Sequence, residues 1–146
     1  GELFLKERIK DLFKTSNGKY VAPQMVEALL LVDKYIDQAA VIADQRKFVS
    51  ALIVPEFRLV EEWAREHRIP FNSREDLCAN AQVQEMMMER IRTLQQSLAS
   101  YEQIKRITLL AHHFSMEAGE LTNTLKLKRP VINKNYQELI DKMYEE

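Results

Sequence analysis

The chain has 146 residues, of which 46% are hydrophobic and 29% charged, enough for one compact domain with its own core. A formal net charge of -1 gives no reason to expect general attraction to nucleic acid or anionic membrane, and a single cysteine, Cys78, excludes an internal disulfide and any Cys-x-x-Cys metal or redox pair. No apolar run approaches the roughly 18 residues of a membrane span, and the charged start Gly1-Glu-Leu-Phe-Leu-Lys-Glu-Arg8 is unlike a signal peptide. The chain therefore reads as soluble and cytoplasmic. It also reads as a piece of something larger, because it opens on Gly in what resembles the middle of a strand.

In chain order, residues 3–6 and 12–14 suggest a short antiparallel hairpin around the charged turn 7–11. Gly18 punctuates a loop, Tyr20, Val21 and Ala22 read as extended, and Pro23 suits the first turn of a helix. Met25, Leu29, Leu30 and Val32 form a helical stripe ending near Asp33. Two apolar runs, 38–42 and 48–54, flank the polar turn 44–47 and read as strands of a central sheet. Pro55 closes the second, and Leu59, Val60, Trp63 and Ala64 mark an amphipathic helix to about His67. Asn72 and Ser73 offer N-caps for a further helical stretch. Residues 80–99 read as a longer helix, 104–110 as a third main strand, and 131–143 as the last helix. There are no repeats and no low-complexity linkers. The expectation is a single α+β domain over residues 1–146, a small, mostly antiparallel sheet covered by helices.

Most reactive residue types here have ordinary structural readings. His112 and His113 are adjacent on a strand end, point to opposite faces, and lack a neighbouring ligand cluster, so no metal site is expected. His67 sits at a helix end. Glu61-Glu62 and Glu145-Glu146 diverge as solvated pairs, Met86-Met87-Met88 reads as adaptable packing, and Cys78 has no His partner. No Ser-His-Asp pattern stands out.

Three polar segments carry more. Glu7-Arg-Ile-Lys-Asp-Leu12 packs both signs of charge into a turn. Lys14-Thr-Ser-Asn-Gly-Lys-Tyr20 leaves backbone open between lysines, without the Gly-x4-Gly-Lys-Ser/Thr spacing of a phosphate loop. Glu120-Leu-Thr-Asn-Thr-Leu-Lys-Leu-Lys-Arg129 delivers Lys126 just before the final helix. Alone, the first is better read as a solvated hairpin tip, the second is weak as a phosphate loop, and the third is equally a solvated basic turn.

Taken together, Arg8-Ile-Lys-Asp-Leu-Phe-Lys14 and Gly18-Lys-Tyr-Val-Ala-Pro-Gln24 with Glu27 resemble the first signature of the C-terminal domain of adenylate-forming enzymes. The 120–129 segment is similar to the last signature of that superfamily. Its Lys-Leu-Lys-Arg form, the Tyr-bearing helix after it and the helical insert between Ile69 and Ala99 look most like the long-chain fatty acid–CoA ligases. The sequence departs from the pattern at Asn17, where a second Gly often occurs, and at Asn123, where Pro or Gly is common.

The resemblance implies a mobile domain that swings over a larger N-terminal adenylation domain, which binds ATP and fatty acid. Lys126 would be the catalytic lysine of acyl-AMP formation, Lys10 the hinge, and Arg8 a nucleotide or interdomain contact. Lys14, Ser16, Gly18, Lys19 and Tyr20 would form the loop that meets the site for transfer to CoA. ATP, Mg2+ and CoA would serve the full-length enzyme, with none held tightly by this chain, which alone is expected to be inactive. Peripheral membrane association of the full-length enzyme is left open. The competing readings are a related adenylating domain acting on another carboxylic acid or a carrier protein, and a non-enzymatic module using its basic loop. Against the latter, the cluster is short and lacks interleaved aromatics, so nucleic acid is not expected as a partner.

Overall fold

The computed structural model describes residues 12–145. The order of elements is β1 (Phe13–Lys14), β2 (Tyr20–Val21), α1 (Pro23–Leu30), β3 (Ile36–Ile42), β4 (Val49–Pro55), α2 (Phe57–Glu66), α3 (Arg74–Ala79), α4 (Ala81–Leu94), a 3-10 turn (Ser100–Glu102), β5 (Ile104–Leu109), α5 (Arg129–Asn135) and α6 (Gln137–Met143). The architecture is α+β, as the patterning suggests. Residues 3–6, half of the expected first hairpin, lie outside the described residues; Phe13–Lys14 pairs antiparallel with Tyr20–Val21.

The main sheet runs β3-β4-β5, with β3 and β4 antiparallel and β4 and β5 parallel. The parallel pairing requires a crossover, which the segment α2–α4 supplies. Because β4 is central, every one of its residues is buried, which explains its unbroken apolar run. Its one polar side chain, Ser50, donates at 2.8 Å to the Tyr144 hydroxyl, which lies 2.7 Å from the Phe48 carbonyl oxygen and 3.1 Å from that of Ile42. The end of the chain is thereby stitched to the β3–β4 hairpin.

Helix α1 packs on β3, while α4 and α6 pack on β5. Val83, Met87 and Ile91, spaced four apart, give α4 a fully buried stripe, so the methionine run is core packing. Asn80 caps α4 by accepting from the Gln82 and Val83 amides, and Ser73 caps α3 through Asp76. Helix α4 ends at Leu94, short of the expected residue 99. There Gln95, buried, accepts from the Ile104 amide at 2.7 Å and donates to its carbonyl at 3.0 Å, so the chain turns to start β5.

The last helix is likewise not continuous. Tyr136 departs from helical torsions at φ -114 and ψ 20, dividing it into α5 and α6, although the Ile140 amide still reaches the Tyr136 carbonyl at 2.9 Å. Among the described residues no helix is long and apolar enough to cross a membrane.

Candidate functional site

Lys126 sits on a hairpin whose tip is Thr122-Asn-Thr-Leu-Lys126. The Thr122 amide donates to the Lys126 carbonyl at 2.8 Å, and the Leu125 amide to the Thr122 carbonyl at 2.9 Å. The Thr122 hydroxyl accepts from the Lys126 amide at 3.1 Å, and Leu121 bridges Leu127 below. This is a three-residue turn whose third position takes a left-handed conformation, held here by Leu125 at φ +64. The Lys126 side chain is exposed and has no carboxylate partner among the described residues.

The same device occurs at Thr15-Ser-Asn-Gly-Lys19. The Thr15 amide donates to the Lys19 carbonyl at 2.9 Å, the Gly18 amide to the Thr15 carbonyl at 2.9 Å, and the Lys19 amide to the Thr15 hydroxyl at 3.2 Å. Gly18 takes the left-handed position at φ +83, so Asn17 fits the turn without a second glycine. The Lys19 ammonium lies over the Tyr101 ring and that of Lys14 over Tyr20, at 5.6 and 5.8 Å. Such exposed contacts are worth about 0.5–1 kcal/mol.

The two tips occupy opposite ends of β3. The Lys126 tip lines an open groove of about 690 Å³ with Asp37, Gln38 and Ala39, at the start of the strand. The other tip leans on the turn beyond its end: the Gln45 amide donates to the Lys14 carbonyl at 2.7 Å and the Ser16 amide to the Arg46 carbonyl at 2.9 Å. Seven residues of strand separate them by roughly 20 Å. None of residues 14–20 lines the Lys126 groove. Arg8 and Lys10 lie outside the described residues.

Two buried carboxylates fix the root of the Lys126 hairpin. Glu27 on α1, 7% exposed, receives both terminal nitrogens of Arg129 at 2.8 Å and the Val41 amide at 2.8 Å. Glu120, 3% exposed, accepts from the Ser115 amide at 3.2 Å and the Asn135 side chain at 3.1 Å, while its backbone accepts from the Lys128 amide at 2.8 Å. Burial, and then its hydrogen bond to Glu120, pushes the Tyr136 hydroxyl up to about 12. Sequence reading placed Glu27 and Arg129 in their motifs but not together. The available signal was a glutamate among the buried positions of an otherwise apolar helix. Glu120 carried no comparable signal.

The other candidates keep structural roles. His113 pairs through Nε2 with the Asp37 carboxylate, His67 stacks on Trp63, and burial, aided by Glu75, pushes the Cys78 thiol up to about 11, away from reactivity. Among the described residues no three His, Cys, Asp or Glu side chains converge to hold a metal.

Fold and site thus define an α+β domain that displays two lysines on matched hairpin tips at its rim. The chain belongs to the family described as AMP-binding enzyme C-terminal domain, whose family model matches residues 10–146. It is 32% identical to Long-chain-fatty-acid--CoA ligase 6 of Homo sapiens over 99% of this chain and 21% of that protein. It is 30% identical to Long chain acyl-CoA synthetase 2 of Arabidopsis thaliana over 100% of this chain and 22% of that one. The chain therefore spans about a fifth of the length of these relatives. Among solved structures, the adenylation domain of a carboxylate reductase from Mycobacterium chelonae superposes with a TM-score of 0.76 at 22% identity, covering 94% of this chain and 20% of that one.

Replacing either Glu27 or Arg129 by Ala strands a buried charge and should cost about 3–5 kcal/mol in urea unfolding. The double variant should lose clearly less than the sum of the two; an additive loss would show that the pair is not coupled. Tyr136 gives a pH signature. Folding raises its pKa from the ordinary 10.0 to about 12, so the native state keeps a proton that the unfolded chain releases. Its contribution is complete below about pH 10 and fades as pH rises through about 12. Tyr136→Phe should flatten this part of the stability–pH curve, measured by chemical unfolding, and an unchanged slope would contradict the assignment.

Proposed function

We propose that this chain is the mobile C-terminal domain of a long-chain fatty acid–CoA ligase, which converts a fatty acid and ATP to acyl-AMP and then transfers the acyl group to CoA. The observation that carries this reading is the pair of matched lysine hairpins at opposite ends of β3. A domain of this shape can present one tip to a cleft only by withdrawing the other. The alignment to the long-chain ligases over nearly the whole chain supports the same assignment.

In the first pose Lys126 sits against the fatty acid carboxylate and the α-phosphate. A carboxylate oxygen bonds to the α-phosphorus while the bond to pyrophosphate breaks, and the ammonium stabilises the negative charge spread over these oxygens. The lysine neither gives up nor gains a bond. Glu27, Arg129 and Glu120 hold the root of its hairpin fixed, so little reorganisation accompanies the reaction. In the second pose the loop bearing Lys14, Ser16, Gly18, Lys19 and Tyr20 faces the site. The CoA sulfur attacks the acyl carbon and AMP leaves. Lys14 and Lys19, held only on aromatic rings, can move to anionic groups of CoA at small cost. Lys10 is the hinge and Arg8 its neighbouring contact to nucleotide or partner domain. Mg2+ would accompany the ATP phosphates on the larger domain.

The test uses the full-length enzyme, with pyrophosphate release and thioester formation from supplied acyl-adenylate measured separately. Lys126→Ala should lower the first by two to three powers of ten, the loss of about 3–4 kcal/mol of transition-state stabilisation, and spare the second. Equal loss of both steps would refute the role. Lys10→Pro should do the reverse, blocking thioester formation while adenylation persists, and two intact steps would remove the hinge assignment.

A further inference from the structure

The two lysine tips share three turn hydrogen bonds and the same flanking threonine and lysine, but the left-handed position before the lysine is filled differently. Where the first has Gly18, the second has Leu125, a branched side chain at φ +64 in a region that such residues rarely occupy. Packing within the domain does not explain its choice, because Leu125 is 66% exposed. It borders the groove beside Leu31, which is 48% exposed, and Ala39 and Pro130, next to Val32 at the end of α1, which is 75% exposed. A glycine or asparagine would make the same turn with less strain. The leucine therefore answers to something this domain does not contain. The chain spans a fifth of its relatives' length, which leaves the larger body of the same enzyme to cover it.

Leu125 precedes Lys126 directly, so the two α-carbons are about 3.8 Å apart. Wherever the ammonium is delivered, an apolar group arrives with it. We propose that Leu125 is a positioning residue that shields the newly formed acyl-adenylate from water while the Lys126 hairpin is seated. The reaction it suppresses is hydrolysis. Water oxygen bonds to the acyl carbon, the bond from that carbon to the AMP oxygen breaks, and free fatty acid and AMP leave with the water proton released to solvent. The tip carries an exposed ammonium and, directly before it, an exposed apolar side chain; on this proposal the first promotes adenylation and the second displaces water from the product. The inference rests on the assignment of Lys126 above.

The full-length enzyme carrying Leu125→Gly, Leu125→Asn or Leu125→Met would be compared with the parent. AMP release without CoA and the ratio of AMP to acyl-CoA with CoA would be measured for each. The Gly and Asn variants suit the left-handed turn and keep Lys126, so their fold and melting temperature should be retained. Both should nevertheless raise CoA-independent AMP release by about tenfold, the scale of a few lost apolar contacts at a reacting centre, and push the ratio above one. The Met variant, which stays apolar, should remain coupled like the parent. Parent-like coupling in both the Gly and Asn variants would overturn the proposal. So would an equal slowing of both half-reactions with coupling intact, which would make Leu125 a docking contact only. A Lys126→Ala control that adenylates at the parent rate would instead overturn the reading of Lys126, leaving the two failures distinguishable.

Discussion

One carboxylate organises this domain. Glu27 lies among buried positions of α1 and accepts three hydrogen bonds, two from the Arg129 fork and one from the Val41 amide. The amide belongs to β3, an edge strand of the sheet, whose outward donors would otherwise invite pairing with another chain. The arginine opens α5 and lies over the Phe13 ring at 5.3 Å. The Glu27–Arg129 pair thus ties the first hairpin's strand, the first helix, the sheet edge and α5. Burying two charges is costly, and it is tolerated here because both oxygens and both terminal nitrogens find partners at 2.8 Å. Lysine in place of Arg129 could not reproduce that fork.

This anchor explains why Lys126 can be free and yet placed. Arg129 is three residues downstream and held, half-buried, in its pair, while Glu120, at the other root of the hairpin, is held by Ser115 and Asn135. Between these fixed points the chain has room only for the tight turn seen. The rigidity lies in the roots, and the charge lies at the tip. Elsewhere several guanidinium groups are tied to carboxylates, as in Arg90 with Asp33 and Arg92 with Glu85 and Glu89. The tip lysines Lys14, Lys19 and Lys126 are tied to none among the described residues.

Elements whose cause is local were legible in the sequence. Pro23 at a helix start, the Asn80 and Ser73 caps, the four-residue spacing of Val83, Met87 and Ile91, and the apolar run of β4 each follow from neighbours in the chain. Features set by distant partners were not. The break at Tyr136 comes with a hydroxyl drawn to Glu120, sixteen positions earlier, and the early end of α4 comes with the Gln95 amide clasping Ile104. The parallel β4–β5 pairing reflects a crossover that no single window contains. The site divides in the same way. The lysines and their loops could be found as motifs, but the likeness of the two tips could not, because one uses glycine and the other leucine for the same torsion. Only backbone geometry brings them together.

That likeness has an electrostatic consequence. An ammonium 4 Å from an anion gains about 1 kcal/mol in water, but about 4 kcal/mol where the effective dielectric constant falls to about 20. Lys126 on the isolated domain is exposed and therefore a weak electrophilic group, however well its hairpin is held. On the proposed reading, its strength comes from the removal of water when the tip is covered. A device that only positioned charge would serve with glycine at residue 125, as the other tip does with Gly18. A device that must also dry its surroundings gains from an apolar side chain there, even at an unfavourable torsion. The exposed Leu31 and Val32 extend that apolar surface toward α1. On the proposed reading, the strain at Leu125 and the exposure of Lys126 answer one requirement, a tip whose water is removed when another surface covers it.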